Sequence, residues 1–260
     1  MSDAGRHMRA EIAEAPAAFV RAVSADVDRA ALAACNIAGV RAFYTIARGS
    51  SDAAANILSY EFMRETGKPM TSLPPSIFSV GRGVAMSGTA SIVVSQSGAS
   101  DDLVRSAKGA RAAGGVVIGI VNQPGSAVES AADLTQPMGA AQDLALKLKE
   151  TCALHAEAYS SSEVLHGPLQ LVSNPLLVLI LDTGQPDVQA SLDVAEARFR
   201  AVGGRVHRIR PADVMAGPMT AAAAAALLLY LCYPLVLATS LALGHDPDHP
   251  ANLTKVTQTT

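Results

Sequence analysis

The sequence predicts an α/β protein: a doubly wound parallel sheet in the first half, then a second α/β half that lacks an opening strand. Three observations carry this. Short β-branched runs alternate with helical periodicity from residue 40 to residue 138, the pattern of successive β-loop-α units. Two small, hydroxyl-bearing stretches follow strands, Arg48-Gly49-Ser50-Ser51-Asp52 and Ser95-Gln96-Ser97-Gly98-Ala99-Ser100. The residues are 50% hydrophobic but only 4% aromatic, so Ala, Val, Leu and Gly must fill the core, which suits close helix-on-sheet packing.

Taken in order, residues 8–36 have helical spacing at Ile12, Phe19, Val20, Val23 and Leu32, with Pro16 in a first turn or at a break. Residues 42–47 form the first strand. A helix runs from the loop to Thr66, with Ala54, Ile57, Leu58 and Phe62 inward and Gly67 as its C-cap. Residues 68–73 make a short strand, Pro74-Pro75 breaks the pattern, and residues 76–87 are irregular or briefly helical. Ile92-Val93-Val94 marks a strand buried on both faces. After its loop, Leu103, Val104, Ala107 and Ala110 recur at helical spacing. Asp101 and Asp102 sit in the first turn, where the helix dipole favours acids. Gly114-Gly115 stops that helix, residues 116–121 form the next strand and residues 132–138 the last.

The second half opens on helical periodicity (Leu144, Leu148, Cys152, His155), with another helix near 160–165 and a break at Gly167-Pro168. A strand at 176–181, a helix at 188–202 stopped by Gly203-Gly204, and a strand at 206–209 follow. Residues 221–243 carry no charge and are long enough to span a bilayer. They lack basic flanks and contain Pro234, so a buried central helix broken at Pro234 is the better reading.

Composition excludes some functions. Net charge is −3 and no Lys/Arg block with interleaved aromatics occurs, which argues against a nucleic-acid partner. Cys35, Cys152 and Cys232 lie far apart without metal-ligand spacing and read as buried thiols of a reducing cytosol. The first 40 residues hold no signal-peptide core. His245 and His249, with Asp246 or Asp248, could ligate a metal, but a solvated loop explains them as well. Gly81-Arg82-Gly83 is too short for a dinucleotide fingerprint.

A strand, a Ser/Gly loop and a helix N-terminus together can hold an anion, because free N–H groups and hydroxyls converge at the positive end of the dipole. Residues 95–100 contain no Lys or Arg, so that loop predicts a neutral cradle suited to a phosphomonoester. Pattern alone leaves an ordinary strand–helix turn open. The like loop at 48–52 favours the anion reading, since open parallel sheets bind ligands beyond the carboxyl ends of their strands. Lys147, Lys149, Glu150, His155, Glu157, Glu163 and His166 crowd the following region. Lys147 and Glu150 share a helix face, as a solvated i,i+3 pair would, and His166 sits at a chain break.

Read together, several stretches resemble one family. Ser95-Gln96-Ser97-Gly98, Leu146-Lys147-Leu148-Lys149-Glu150, His155-Ala156-Glu157-Ala158-Tyr159, Glu163-Val164-Leu165-His166-Gly167-Pro168 and Asn252-Leu253-Thr254-Lys255-Val256-Thr257 occur in that order. The set is similar to the sugar isomerase (SIS) domain pair of glucosamine-6-phosphate synthase and its stand-alone deaminase relatives. No glutaminase domain is expected in this chain. The resemblance implies two doubly wound, flavodoxin-like parallel-sheet subdomains. It also implies conversion of glucosamine 6-phosphate to fructose 6-phosphate and ammonia by a cytoplasmic homodimer. No metal, cofactor, nucleic acid or membrane is implied; the partner is a hexosamine or hexose 6-phosphate. Ser50, Ser51, Ser95, Gln96, Ser97 and Ser100 match the substrate-binding loops, with Lys147 and Thr254 beside them. Glu150 matches the base that moves a proton between C1 and C2. His166 matches the ring-opening histidine that reaches a partner subunit's site, and Lys255 matches the Schiff-base lysine of the synthase. Alternatives are a non-catalytic phosphosugar-binding protein and a deglycase of an amine-linked phosphosugar.

The family pattern also implies a gap. Between Ala140 and Gln142 it normally continues through a further loop, a closing helix and the first strand of the second domain. The second subdomain is therefore expected to lack its first strand, through an omitted piece of polypeptide or a deletion. The implied divisions are an N-terminal helical segment (1–36), a first SIS domain (37–140), an incomplete second (141–244) and a tail (245–260).

Overall fold

The computed structural model describes residues 3–24, 33–35, 37–137 and 150–251. They fall into two units, one drawn from Arg6–Asp143 and His249–Thr260, the other from Met1–Gly5 and Leu144–Asp248.

Helix α1 (Arg6–Val23) opens the first unit and runs through Pro16 without a break. The sheet strands are β1 (Ala42–Ile46), β2 (Met70–Ser72), β3 (Thr89–Ser95), β4 (Val116–Val121) and β5 (Leu134–Pro137). All pair in parallel, in the order β2-β1-β3-β4-β5. The connecting helices are α2 (Gly49–Thr66), α3 (Ser76–Ser79), α4 (Asp101–Ala112) and α5 (Ala127–Ala131). Strand alternation explains the two cores. Phe43, Ala90, Ile92 and Val94 join Ala55 of α2 on one face, while Ile46, Val93 and Val117 join Leu103, Ala107 and Ala110 of α4 on the other.

Helix α2 ends where the sequence predicts, with Gly67 left-handed at φ 66° and its N–H returned to the Met63 carbonyl. Its inward face includes the expected Ala54, Leu58 and Phe62. Ala54, Ala55 and Ser59 are buried, with Leu58, Phe62 and Met63 partly so. Phe62 meets Phe43 of β1 with ring centroids 4.6 Å apart.

The second unit is thinner. Strands β6 (Leu177–Leu181) and β7 (Arg205–Ile209) form a two-stranded parallel sheet bridged by α6 (Pro186–Ala201). A second sheet without an opening strand is what the sequence implies. Asp182 N–H donates to the Ile209 carbonyl, so alternation turns the N–H groups of Leu177, Leu179 and Leu181 to the other edge. Among the described residues no strand pairs there. The expected helix near 160–165 is instead a pair of tight 3₁₀ turns, Glu163–His166 and Pro168–Ser173. Gly167 and Pro168 between them cannot sustain an α-helical ladder.

Helix α7 (Ala221–Ala242) corrects two expectations. It runs unbroken through Pro234, and only one stripe is buried, including Ala224, Leu228, Cys232, Val236 and Ser240. Spacing of four places these on one face, and burial of that stripe outweighs the cost of about 3 kcal/mol for an interior proline. The helix is long and apolar enough to cross a membrane. Burial pushes the Cys232 thiol pKa up, as befits a packing thiol.

Candidate functional site

The strand order 2-1-3-4-5 has a switch point between β1 and β3. There one strand leads to a helix on one face of the sheet and its neighbour to a helix on the other. Loops diverge at that point and leave a crevice beyond the carboxyl ends. Both hydroxyl-bearing loops lie there, because Ile46 pairs with Val93 in register and each strand ends within two residues of that pair.

The first loop enters α2 through Gly49 at φ 55°. Ser50 and Ser51 occupy its first turn, both half-buried. The second loop is closed by its own side chains. Gly98 N–H donates to buried Ser95 Oγ at 3.0 Å, and Ala99 N–H to Ser97 Oγ at 3.3 Å. Gly98 is left-handed at φ 61°, and a Cβ there would lie 2.3 Å from Ser126 Oγ. Only glycine lets the loop lie against the start of α5, where Val128 N–H donates to the Gly98 carbonyl at 2.9 Å. Gln96 and Ser97 are exposed, and Ser100 precedes α4. No side chain caps α2 or α4, so the helix starts and the Gln96, Ser97 and Ser100 side chains can serve a ligand.

One ion pair joins the loops. Arg48 Nε donates to Asp102 Oδ2 at 2.6 Å, and Asp102 Oδ1 accepts from Leu103 N–H at 2.9 Å. The Asp102 side chain is 7% exposed and that of Arg48 49%. Asp52 accepts from Ser72 Oγ at 3.0 Å, and Asp101 pairs with Arg105 at 2.7 Å. Sequence reasoning treated Asp102 only as a dipole acid and overlooked the cation in the first loop. The signal was present: Arg48 stands two residues past β1, and Asp102 stands in the first turn of the helix after the β3 loop.

The other candidates lie in the second unit or outside the described residues. Glu150 opens the helical turn 150–152 and is half-buried. Its neighbour Thr151 has its carbonyl bonded by Ser240 Oγ of α7 at 2.7 Å, and Cys152 Sγ donates to the Val236 carbonyl at 3.4 Å. The turn ends at Ala153, left-handed at φ 52°. His155 therefore lies beyond the helix on which periodicity placed it, exposed, with Nε2 3.4 Å from Glu157. The Tyr159 hydroxyl donates to Glu157, which raises the phenol pKa. Glu163 accepts from Ser160 Oγ and N–H, and these bonds lower its pKa. His166 ends the first 3₁₀ turn, ahead of Gly167. Lys147, Thr254 and Lys255 lie outside the described residues.

No group of three or more metal-binding side chains occurs among the described residues. The Asp246 carboxylate accepts from the N–H groups of Gly5 and Asp248, both at 3.1 Å, and so shapes its loop. Two surface depressions, at Asn174–Leu177 with Gly203–Arg205 and at Cys35 with Arg111 and Asp133, lie at the amino ends of strands. In an open parallel sheet that is the end away from ligands.

Residues 36–138 match the SIS domain model, and this span contains the five-stranded sheet and both loops. The glutamine–fructose-6-phosphate aminotransferase [isomerizing] of Pyrococcus horikoshii is 33% identical over 119 residues, 43% of this chain and 20% of the relative. The match thus spans about a fifth of that relative's length. Two solved structures extend the likeness to nearly the whole chain. A candidate phosphosugar isomerase from Silicibacter pomeroyi is 25% identical, covers 93% of this chain and 99% of its own, and has a TM-score of 0.74. Glucosamine-6-phosphate deaminase from Thermotoga maritima is 14% identical, covers 96% and 98%, and has a TM-score of 0.72, a likeness of fold. The second unit therefore shares the α/β architecture of these proteins, while the span that matches the SIS model holds the switch-point loops.

Proposed function

We propose that the chain is an SIS-type phosphosugar aldose–ketose isomerase, with glucosamine 6-phosphate converted to fructose 6-phosphate and ammonia as its reaction. The carrying observation is the pair of serine-bearing loops at the β1/β3 switch point of an SIS domain. A remote phosphate grip supplies binding energy that orients a flexible open-chain sugar. In this reading Gln96, Ser97 and Ser100 hold the phosphate and Ser50 and Ser51 the sugar hydroxyls. Ser95 shapes the loop, its Oγ taking the Gly98 N–H.

The chemistry needs a carboxylate base and a group that opens the ring. Glu150 takes the C2 proton of the open-chain amino sugar and returns it to C1, converting the aldehyde carbon to CH₂OH and C2 to an imine. Water adds at C2 and ammonia leaves, so the sum is glucosamine 6-phosphate plus water to fructose 6-phosphate plus ammonia. His166 is assigned ring opening, in a homodimer that lends it across the interface, and Lys255 and Lys147 the positioning of the open chain. The test is Glu150→Gln, assayed for ammonia and, by NMR, for fructose 6-phosphate. Turnover should be lost with phosphosugar binding retained; unchanged turnover overturns the assignment of the base.

A second reading is favoured by the two-stranded sheet of the second unit: a phosphosugar-binding protein without turnover. Thermal stabilisation by fructose 6-phosphate with no product from any hexosamine phosphate would decide for it. A deglycase of an amine-linked phosphosugar would instead show itself in a substrate panel.

A further inference from the structure

The switch-point crevice is not electrostatically neutral. Across residues 48–52 and 95–102 the acids are Asp52, Asp101 and Asp102, and the only cation is Arg48. Without Arg48 a dianion would enter a net negative field, since of the three carboxylates flanking the helix starts only Asp101 has another cationic partner, Arg105. Arg48 stands beside β1 yet reaches the first turn of α4, which follows β3, so it spans the crevice. Asp102 holds it by Nε alone. The two Nη nitrogens have no partner among the described residues, and the side chain is half-exposed. A guanidinium anchored by one nitrogen keeps its other donors in a fixed plane, the arrangement that recognises a phosphate by paired bonds.

We propose that Arg48, held across the crevice by Asp102, is the residue that makes this site select a phosphorylated ligand. The proposal rests on the phosphosugar reading for the identity of the ligand, but its charge logic applies to any phosphate monoester. Asp102 is a positioning residue here, aligning the guanidinium while its own charge is cancelled.

The test is calorimetric titration of fructose 6-phosphate and of inorganic phosphate into the full chain, for wild type, Arg48→Gln and Arg48→Lys, with urea midpoints as a folding control. Arg48→Gln should weaken both probes by about tenfold or more, the loss expected for a charge-assisted bond. Arg48→Lys should recover part of that loss. Affinity in the wild type should rise from pH 5 to 7 as the phosphate takes its second charge, near pKa ~6, and this rise should flatten in Arg48→Gln. A merely structural Arg48 would move the urea midpoint and leave the pH profile intact. Unchanged affinity in Arg48→Gln overturns the proposal and leaves the proposed function standing. If wild type binds phosphate but no phosphosugar, and Arg48→Gln loses it, the function reading fails and the role of Arg48 holds. Wild type that binds neither probe sinks both.

Discussion

Asp182, at the carboxyl end of β6, receives Arg208 Nε of β7 at 2.8 Å, with both side chains buried. The guanidinium is fully engaged: Nη1 bonds Asp193 and Glu196, and Nη2 bonds Gln189. Gln189 and Gly184 N–H also donate to Asp182. The pair ties β6, β7 and α6 together where, among the described residues, the second sheet is two strands wide. Arg208→Leu leaves Asp182 buried without its main countercharge, a loss of about 3–5 kcal/mol by the usual cost of breaking one side of a buried pair. Urea unfolding followed by circular dichroism measures it.

The same group sets an acid limit. Burial pushes the Asp182 carboxyl up, but hydrogen bonds from Gln189, Gly184 and Arg208, with the Arg208 charge, hold it below the usual carboxylate range. A group whose folded pKa lies below its unfolded value stabilises above the unfolded value, about 3.9, and loses that contribution as pH falls through the folded one. Stability of the second unit should therefore drop below about pH 4. Asp182→Asn should start less stable at neutral pH and show a flatter decline over that window.

Gly98 tests the second loop. Alanine there must accept a left-handed φ and displace Ser126 from 2.3 Å, at a cost of about 1–3 kcal/mol. Phosphate affinity should fall with stability. Ser126→Gly in the same chain should restore part of the affinity by removing the clash.

Ser240→Ala addresses the placement of Glu150. It deletes the bond from α7 to the Thr151 carbonyl without touching the loops. If the proposed role of Glu150 is right, kcat falls several-fold with KM held. A change in KM alone would count against that role.

Much of this molecule is legible in the chain. The β-branched runs at β3 and β4 and the glycine stops are local signals, so the first sheet follows from periodicity. The two loops follow too, since hydroxyl-rich turns after strands are a sequence pattern. What escapes is whatever depends on distance in sequence. Arg48 and Asp102 are 54 positions apart, and Arg208 and Asp182 are 26 apart. No periodicity couples them; the register of parallel strands does. His155 escapes for a different reason. Apolar spacing continues past Cys152, but Ala153 adopts a left-handed φ and turns the chain away.

The open edge of β6 has a kinetic consequence. Its outward amides on Leu177, Leu179 and Leu181 have no strand to shield them among the described residues, whereas β3 lies between β1 and β4 with every residue but Thr89 buried. A two-stranded sheet is marginal on its own, so local opening should start there. In deuterated solvent those three leucine amides should exchange early and the β3 amides last. The protein would then melt in two steps, as separate cooperative units of unequal strength.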